Sequence, residues 1–259
     1  QSGFRAWFRT CFRHLSGIES VTPRSDHRLA LRVSGLQAGG GCGCICFAMK
    51  LTYFGHSCFL VEAAGTRLLF DPFITPNPLA KSIDPASIKA DFILISHGHV
   101  DHLADAVDLA SKTGAKVLSN WEVVEWLGKQ GVANAHPMNH GGSVTIPCGR
   151  VKMVSAIHSS ALPDGSNGGN PAGFVVESGE GSFYYAGDTA LTLDMKLIAD
   201  EFRLIFAVLP IGDNFTMGTA DAIRAAGFCG AKDMVGVHYN TDRKSTRLNS
   251  SHVRTSRMP

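Results

Sequence analysis

Ser96-His97-Gly98-His99-Val100-Asp101-His102 sets three imidazoles and a carboxylate within six residues, directly after the apolar run Phe92-Ile93-Leu94-Ile95. An unbroken apolar run of this length reads as a strand buried on both faces. Imidazole nitrogen and carboxylate oxygen are donors suited to zinc and other divalent first-row metals. Donors packed this tightly behind a buried strand predict a metal site at that strand's exit.

The same arrangement recurs along the chain. His56 follows the apolar strand Leu51–Phe54, Asp71 follows Thr66–Phe70, and His158 follows Val151–Ile157. Asp188 follows Ser182–Ala186, and His238 follows Met234–Val237. A lone histidine after a strand is usually a hydrogen-bonded loop residue. Six donors at equivalent strand exits predict instead one edge that collects them. Further strands are expected at Ser57–Glu62, Lys116–Leu118, Ser143–Ile146, Gly173–Ser178 and Leu204–Leu209. Apolar residues at helical spacing predict helices over His102–Thr113, Trp121–Lys129, Leu193–Glu201 and Thr219–Ala226. The proline-rich Pro72–Pro85 reads as a loop, since proline removes backbone donors. His136 and His140 read as loop residues, and Cys58 as core packing. Strand-rich halves with interspersed helices predict an α/β (α+β) fold, a four-layer αββα sandwich.

The two ends differ from this middle. Residues 1–48 carry Arg, Gly and Ser without a steady period, and lack the apolar centre of about 7–15 residues that a signal peptide needs. Met49 then opens a strand at once, so 1–48 is expected to be a non-native leader from upstream translation. Asp242–Pro259 resembles, on back-translation, a common short-read sequencing adapter, and is expected to replace a natural ending. The credible domain is therefore 49–241.

This division decides the charge argument. The whole chain has a net charge of +2, but 1–48 holds six Lys/Arg and two Asp/Glu, and 242–259 holds five and one. The middle keeps 13 basic and 19 acidic residues, a net of −6. Such a domain has no global basic footprint for nucleic acid. No apolar run approaches the roughly 20 residues needed to span a bilayer. Cys58, Cys148 and Cys229 are far apart, without CxxC spacing, which fits a reducing cytoplasm.

HxHxDH at 97–102, then His158, Gly187-Asp188-Thr189 and His238, resembles the ordered ligand set of binuclear metallo-β-lactamase-fold hydrolases. Residues 49–241 are similar in particular to small prokaryotic metal-dependent hydrolases related to the ascorbate-6-phosphate lactonases. The stretches that carry this are Phe54-Gly55-His56-Ser57-Cys58-Phe59, Pro210-Ile211-Gly212-Asp213-Asn214-Phe215-Thr216-Met217-Gly218 and His238-Tyr239-Asn240-Thr241. The likeness stops at Asp242, where such proteins continue through a further helix and strand, so the domain is expected to be C-terminally truncated.

The resemblance implies two divalent ions, zinc or else manganese or iron. One would be held by His97, His99 and His158, the other by Asp101, His102 and His238, with Asp188 bridging. A water deprotonated between them would attack a small ester, lactone or phosphoester. Asp101 could also move a proton, and His56 could protonate a leaving group or serve only structure. Asp71 reads as a partner that orients a ligating histidine, or as a turn-former before Pro72. Asn214 could contact substrate or only make a turn. The alternatives are a phosphodiesterase or ribonuclease of the same fold and a non-catalytic metal-binding module. The expected partner is a small molecule, with neither nucleic acid nor membrane, and a homo-oligomer stays open.

Overall fold

The first half of the chain builds one sheet from β1 (Ile18–Val21), β2 (Leu29–Ser34), β3 (Ala48–Gly55), β4 (Cys58–Ala63), β5 (Thr66–Phe70), β6 (Phe92–Leu94), β7 (Lys116–Asn120) and β8 (Ala135–Met138), side by side in that order. The structure is a computed structural model that describes residues 18–21, 29–34 and 48–241. Strands β1 to β5 pair antiparallel, and β5 to β8 run parallel. Parallel neighbours need crossover connections. The loop after β5 supplies the first, α1 (Val100–Leu103) with α2 (Ala106–Thr113) the second, and α3 (Trp121–Lys129) the third.

The second half repeats the plan with β9 (Ser143–Ile146), β10 (Gly149–Ser155), β11 (Ala172–Ser178), β12 (Gly181–Tyr185), β13 (Leu204–Pro210) and β14 (Asp233–Val237), in spatial order β14-β13-β12-β11-β10-β9. Its first four strands pair antiparallel, and its last three are parallel. The helices α4 (Met195–Glu201) and α5 (Thr219–Phe228) supply the parallel crossovers.

Three apolar clusters make the layers. Phe59, Phe70, Phe174, Phe183, Tyr185 and Phe206 fill the space between the sheets without solvent exposure. Phe59 stacks on Phe70 at 4.6 Å, and Phe183 on Phe206 at 5.0 Å. Each fully buried ring of this kind is worth about 1.5–3 kcal/mol. A second cluster joins Leu69, Ile93 and Val117 to Leu109, Val123 and Leu127 of α2 and α3. A third joins Val175, Ala207 and Leu209 to Ile198, Ala222 and Ala225 of α4 and α5. The architecture is the αββα sandwich of the metallo-β-lactamase type.

Two local expectations need correction. The single helix expected over His102–Thr113 is two helices, broken at Ala104-Asp105. The Asp105 carboxylate leaves the helix path to accept from Ile74 N at 2.6 Å and Thr75 N at 3.0 Å, which ties down the proline-rich loop. His136 lies in strand β8, not in a loop. Pro137 hid that strand, and proline is tolerated there because β8 is an edge strand paired only with β7.

The strand directions place the site. Strands β3 and β5 are both antiparallel to β4, and β6 is parallel to β5, so all three end at one edge. By the same reasoning β10, β12 and β14 share one direction in the second sheet. The residues that follow these six strands are the candidate donors. Hydrogen bonds stitch the two halves together there. Ala172 N donates to Ser96 O at 2.9 Å, His238 N to His56 O at 2.8 Å, and Gly98 N to Ser160 Oγ at 3.0 Å.

Candidate metal centre

The donors expected at 97–102, 158, 188 and 238 converge. His97 Nε2 and His99 Nδ1 are 2.9 Å apart, and with His158 they form one group whose nitrogens could share an ion. Asp101, His102 and His238 form a second group, joined by His56. The Asp188 carboxylate lies between them. Its Oδ2 is 2.9 Å from His238 Nε2, 3.2 Å from His102 Nε2 and 3.7 Å from His158 Nε2.

The backbone is forced to deliver these groups. His56, Asp71 and His238 have φ of 55°, 40° and 58°, a left-handed conformation that costs a non-glycine residue energy. All three are buried, so the packed sheet ends hold them there. Gly187 has φ 64°, and a Cβ on it would stand 2.5 Å from Ala172 O. Only glycine lets the chain turn Asp188 inward at that point.

Asp71 organises the imidazoles. Its Oδ1 accepts from Ser96 N at 2.7 Å. Its Oδ2 takes Ser96 Oγ at 2.6 Å, His102 Nδ1 at 2.6 Å and the Tyr185 hydroxyl at 2.5 Å. Both oxygens are thus engaged with protein donors, and Asp71 also groups with His97 and His102 closely enough to share an ion. Because the Ser96 hydroxyl donates to Asp71, it accepts from His97 Nδ1–H at 2.9 Å. The Nε2 lone pairs of His97 and His102 are left to face the centre. Tyr185 was not singled out from the sequence. Its position three residues before Asp188, in a buried strand, was the available signal.

His56 is buried behind Asp101. Its Nε2 is 3.0 Å from Asp101 Oδ2, its Nδ1 is 2.5 Å from Thr241 Oγ1, and Tyr53 holds its carbonyl at 2.8 Å. Asn214 is exposed in a turn with φ 35°. His140 is tied to Pro171 O at 2.8 Å and does not join the donors. A hollow of about 550 Å³ beside β8, lined by Trp121, His136, Met138 and Asn139, contains none of the donor residues.

Electrostatics fit a cation. Burial pushes the His97, His99 and His158 imidazoles toward the neutral form, which is the form that ligates. For His102 burial acts in the same direction, but Asp188, Asp71 and Asp101 outweigh it and raise its pKa. Burial would raise Asp188, yet His102 and His238 hold it ionised, well below the usual carboxylate range. His102 Nε2, His238 Nδ1 and Asp188 Oδ1 are buried without a hydrogen-bond partner. Native interiors rarely leave such atoms unpaired, and for His102 Nε2 and Asp188 Oδ1 a bound metal supplies the missing partner. The nitrogen and oxygen donor set suits divalent zinc, manganese or iron.

The fold and the donor set define a metal-dependent hydrolase of the metallo-β-lactamase superfamily. A family model described as "Beta-lactamase superfamily domain" matches residues 66–239. A UPF0173 metal-dependent hydrolase of Methylacidiphilum infernorum is 51% identical over 193 residues, covering 74% of this chain and 85% of that one. Its counterpart in Flavobacterium johnsoniae is 49% identical over 193 residues, with the same coverage. The chain belongs to the UPF0173 metal-dependent hydrolase family. Among solved structures, Igni18, a metallo hydrolase of Ignicoccus hospitalis, matches with a TM-score of 0.69 at 34% identity, over 77% of this chain and 86% of that one. An isothiocyanate hydrolase from Delia radicum gut bacteria shares the fold, with a TM-score of 0.62 at 19% identity, over 77% and 88% of the two chains.

Proposed function

We propose that this chain hydrolyses a small ester, lactone or phosphoester with two divalent ions as resident cofactors, zinc or else manganese or iron. The observation that carries the reading is Asp188 Oδ2, which faces donors of both histidine groups at once. His97, His99 and His158 would hold one ion, and Asp101, His102 and His238 the other, with Asp188 between. Two ions held there supply Lewis acidity and bring a water's pKa toward about 7.

The chain's own residues do the remaining work. Asp71, through Ser96 and directly, keeps the His97 and His102 rings in the ligating tautomer. Asp101, whose side chain is 42% exposed, is open to solvent, and although burial would raise its pKa, His102 and His56 hold it ionised, well below the usual carboxylate range. His56 fixes that carboxylate from behind. The charge of −6 over 49–241 favours a small-molecule substrate over nucleic acid. The free, buried Cys58, Cys148 and Cys229 fit a reducing cytoplasm.

The test combines metal counting with turnover. The zinc-saturated chain is expected to carry two ions and to hydrolyse members of an ester, lactone and phosphoester panel. Chelation should abolish turnover, and added metal should restore it. At most one ion per chain under saturating zinc would overturn the binuclear reading.

A further inference from the structure

We infer that the centre takes an uncharged carbonyl substrate, an oxoester, thioester or lactone with an apolar acyl or aryl group, in preference to a phosphoester. This deepens the hydrolytic reading above and rests on it. Two independent observations point to it, one of charge and one of shape.

The first is the absence, among the described residues, of cationic side chains in the stretches that carry the donors. Residues 55–57, 71–80, 96–105, 156–171, 186–194, 211–218 and 238–241 contain no Lys or Arg, while Asp105, Asp164, Asp194 and Asp213 add negative charge beyond the donors themselves. Among the described residues, Asp71, Asp101 and Asp188 form ion pairs only with histidines. Proteins that bind phosphate groups normally grip the non-reacting oxygens with Arg or Lys. Among the described residues these stretches offer no such grip, and their net charge is negative.

The second is a set of exposed apolar side chains on those same segments. Val100, Ile157 and Phe215 are 51%, 61% and 50% exposed. Val100 sits between the donors His99 and Asp101, and Ile157 directly precedes His158. Phe215 lies on a turn anchored to two donor segments. Met217 N donates to Thr189 O at 3.0 Å, beside Asp188, and Gly212 packs with no room for a Cβ against His238, whose Nδ1 would stand 2.8 Å away. Thr189 also binds Ile157 N through its hydroxyl at 3.0 Å, and Ala190 N donates to Ile157 O at 3.1 Å. The segments bearing Ile157 and Phe215 are therefore held together around Thr189. Asp213 and Asn214, at φ 60° and 35°, hold the turn that carries Phe215. The three side chains stand on segments that carry donors, so the occupant we assign to them is the part of the substrate that projects from the reacting carbonyl.

The reaction balances without a further reagent. The water oxygen bonds to the acyl carbon, and the acyl C–O or C–S bond breaks with its electron pair on the leaving group. One proton ends on the resulting alcohol or thiol, and the other is released as the acid ionises.

The experiment uses the full chain loaded with zinc. Turnover is compared for p-nitrophenyl acetate, p-nitrophenyl octanoate and bis-p-nitrophenyl phosphate, and calorimetry measures binding of acetate and octanoate. Octanoate is expected to exceed acetate by roughly tenfold or more in kcat/KM and in affinity, since several methylenes meet apolar surface. The phosphodiester should be the poorest substrate. Phe215→Ser and Ile157→Ser should each pull the octanoate-to-acetate ratio several-fold toward one, with Val100→Ser as a third variant should either fail to fold. A preference for the phosphodiester, a wild-type ratio near one, or a ratio unmoved in folded variants would overturn the inference. So would self-association that Phe215→Ser abolishes while the ratio stays fixed, because the rim would then belong to a second copy. If no ester or phosphoester turns over, the hydrolytic reading fails by itself. Binding then decides the inference: tighter octanoate lost in the variants supports it, and equal binding overturns it.

Discussion

Asp71 is the residue on which the centre's geometry turns, because one buried carboxylate fixes Ser96, His102 and Tyr185 together. Asp71→Asn sets an amide N–H against at least one of these donors. It should cost about 3–5 kcal/mol, the range for breaking a buried pair. Metal affinity should fall about 10–100-fold through loss of ligand orientation. Tyr185→Phe removes one hydrogen bond to a charged group and should cost less, about 1.5–3 kcal/mol. Denaturant midpoints at constant slope, with zinc titrations, check both. Equal effects of the two substitutions would contradict this ranking. Asp188→Ala should weaken both ions together, whereas His158→Ala should empty one, as metal counting would reveal. The donors were legible in the sequence because each follows an apolar strand. Tyr185 was not, since its ring reads as ordinary core and only tertiary structure brings its hydroxyl to Asp71. At the same scale, burial pushes the Cys58 and Cys148 thiols up and Cys229 to about 11. All three should escape iodoacetamide at pH 8 in the folded chain and react after denaturation, as peptide mapping would show.

At the scale of elements, the same chemistry at two glycines should have different outcomes. Gly149 opens β10 at φ 147°, and a Cβ there would run into Glu177 O across the β10–β11 pairing. Gly187 ends the β12 exit at φ 64°, beside Asp188. Each Gly→Ala change should destabilise the fold by more than about 1 kcal/mol, since alanine resists a positive φ. Only Gly187→Ala should also lower metal content, because only it moves a donor. Melting curves with and without zinc separate the two, and metal loss in Gly149→Ala would refute the distinction. The element boundaries that sequence periodicity missed have the same origin. The break at Ala104-Asp105 and the strand holding His136 and Pro137 are both set by partners distant in sequence. Asp105 answers to Ile74 and Thr75, and Pro137 is tolerated only at a sheet edge, so neither signal lies in the local pattern.

At the scale of the whole molecule, the question is what the strands ahead of Met49 contribute. Strand β2 pairs with β3 from Leu29↔Tyr53 to Ser34↔Ala48. Among the described residues, however, every candidate donor lies between His56 and His238. Met49 and Leu51 of β3 are buried with Phe59, Val61 and Leu68. Removing β2 exposes the backbone edge of β3. Each lost hydrogen bond is worth about 0.5–1.5 kcal/mol net, because water replaces it. Each released residue recovers about 1–2 kcal/mol of backbone entropy. The two terms are of similar size and opposite sign, so a chain starting at Met49 should melt within a few degrees of the full chain. Its zinc stoichiometry should be unchanged. In a domain of this size about 1 kcal/mol moves Tm by roughly 2–4 °C. A drop beyond about 10 °C, several kcal/mol on that scale, would mean that the residues before Met49 pack on the sandwich as part of its core.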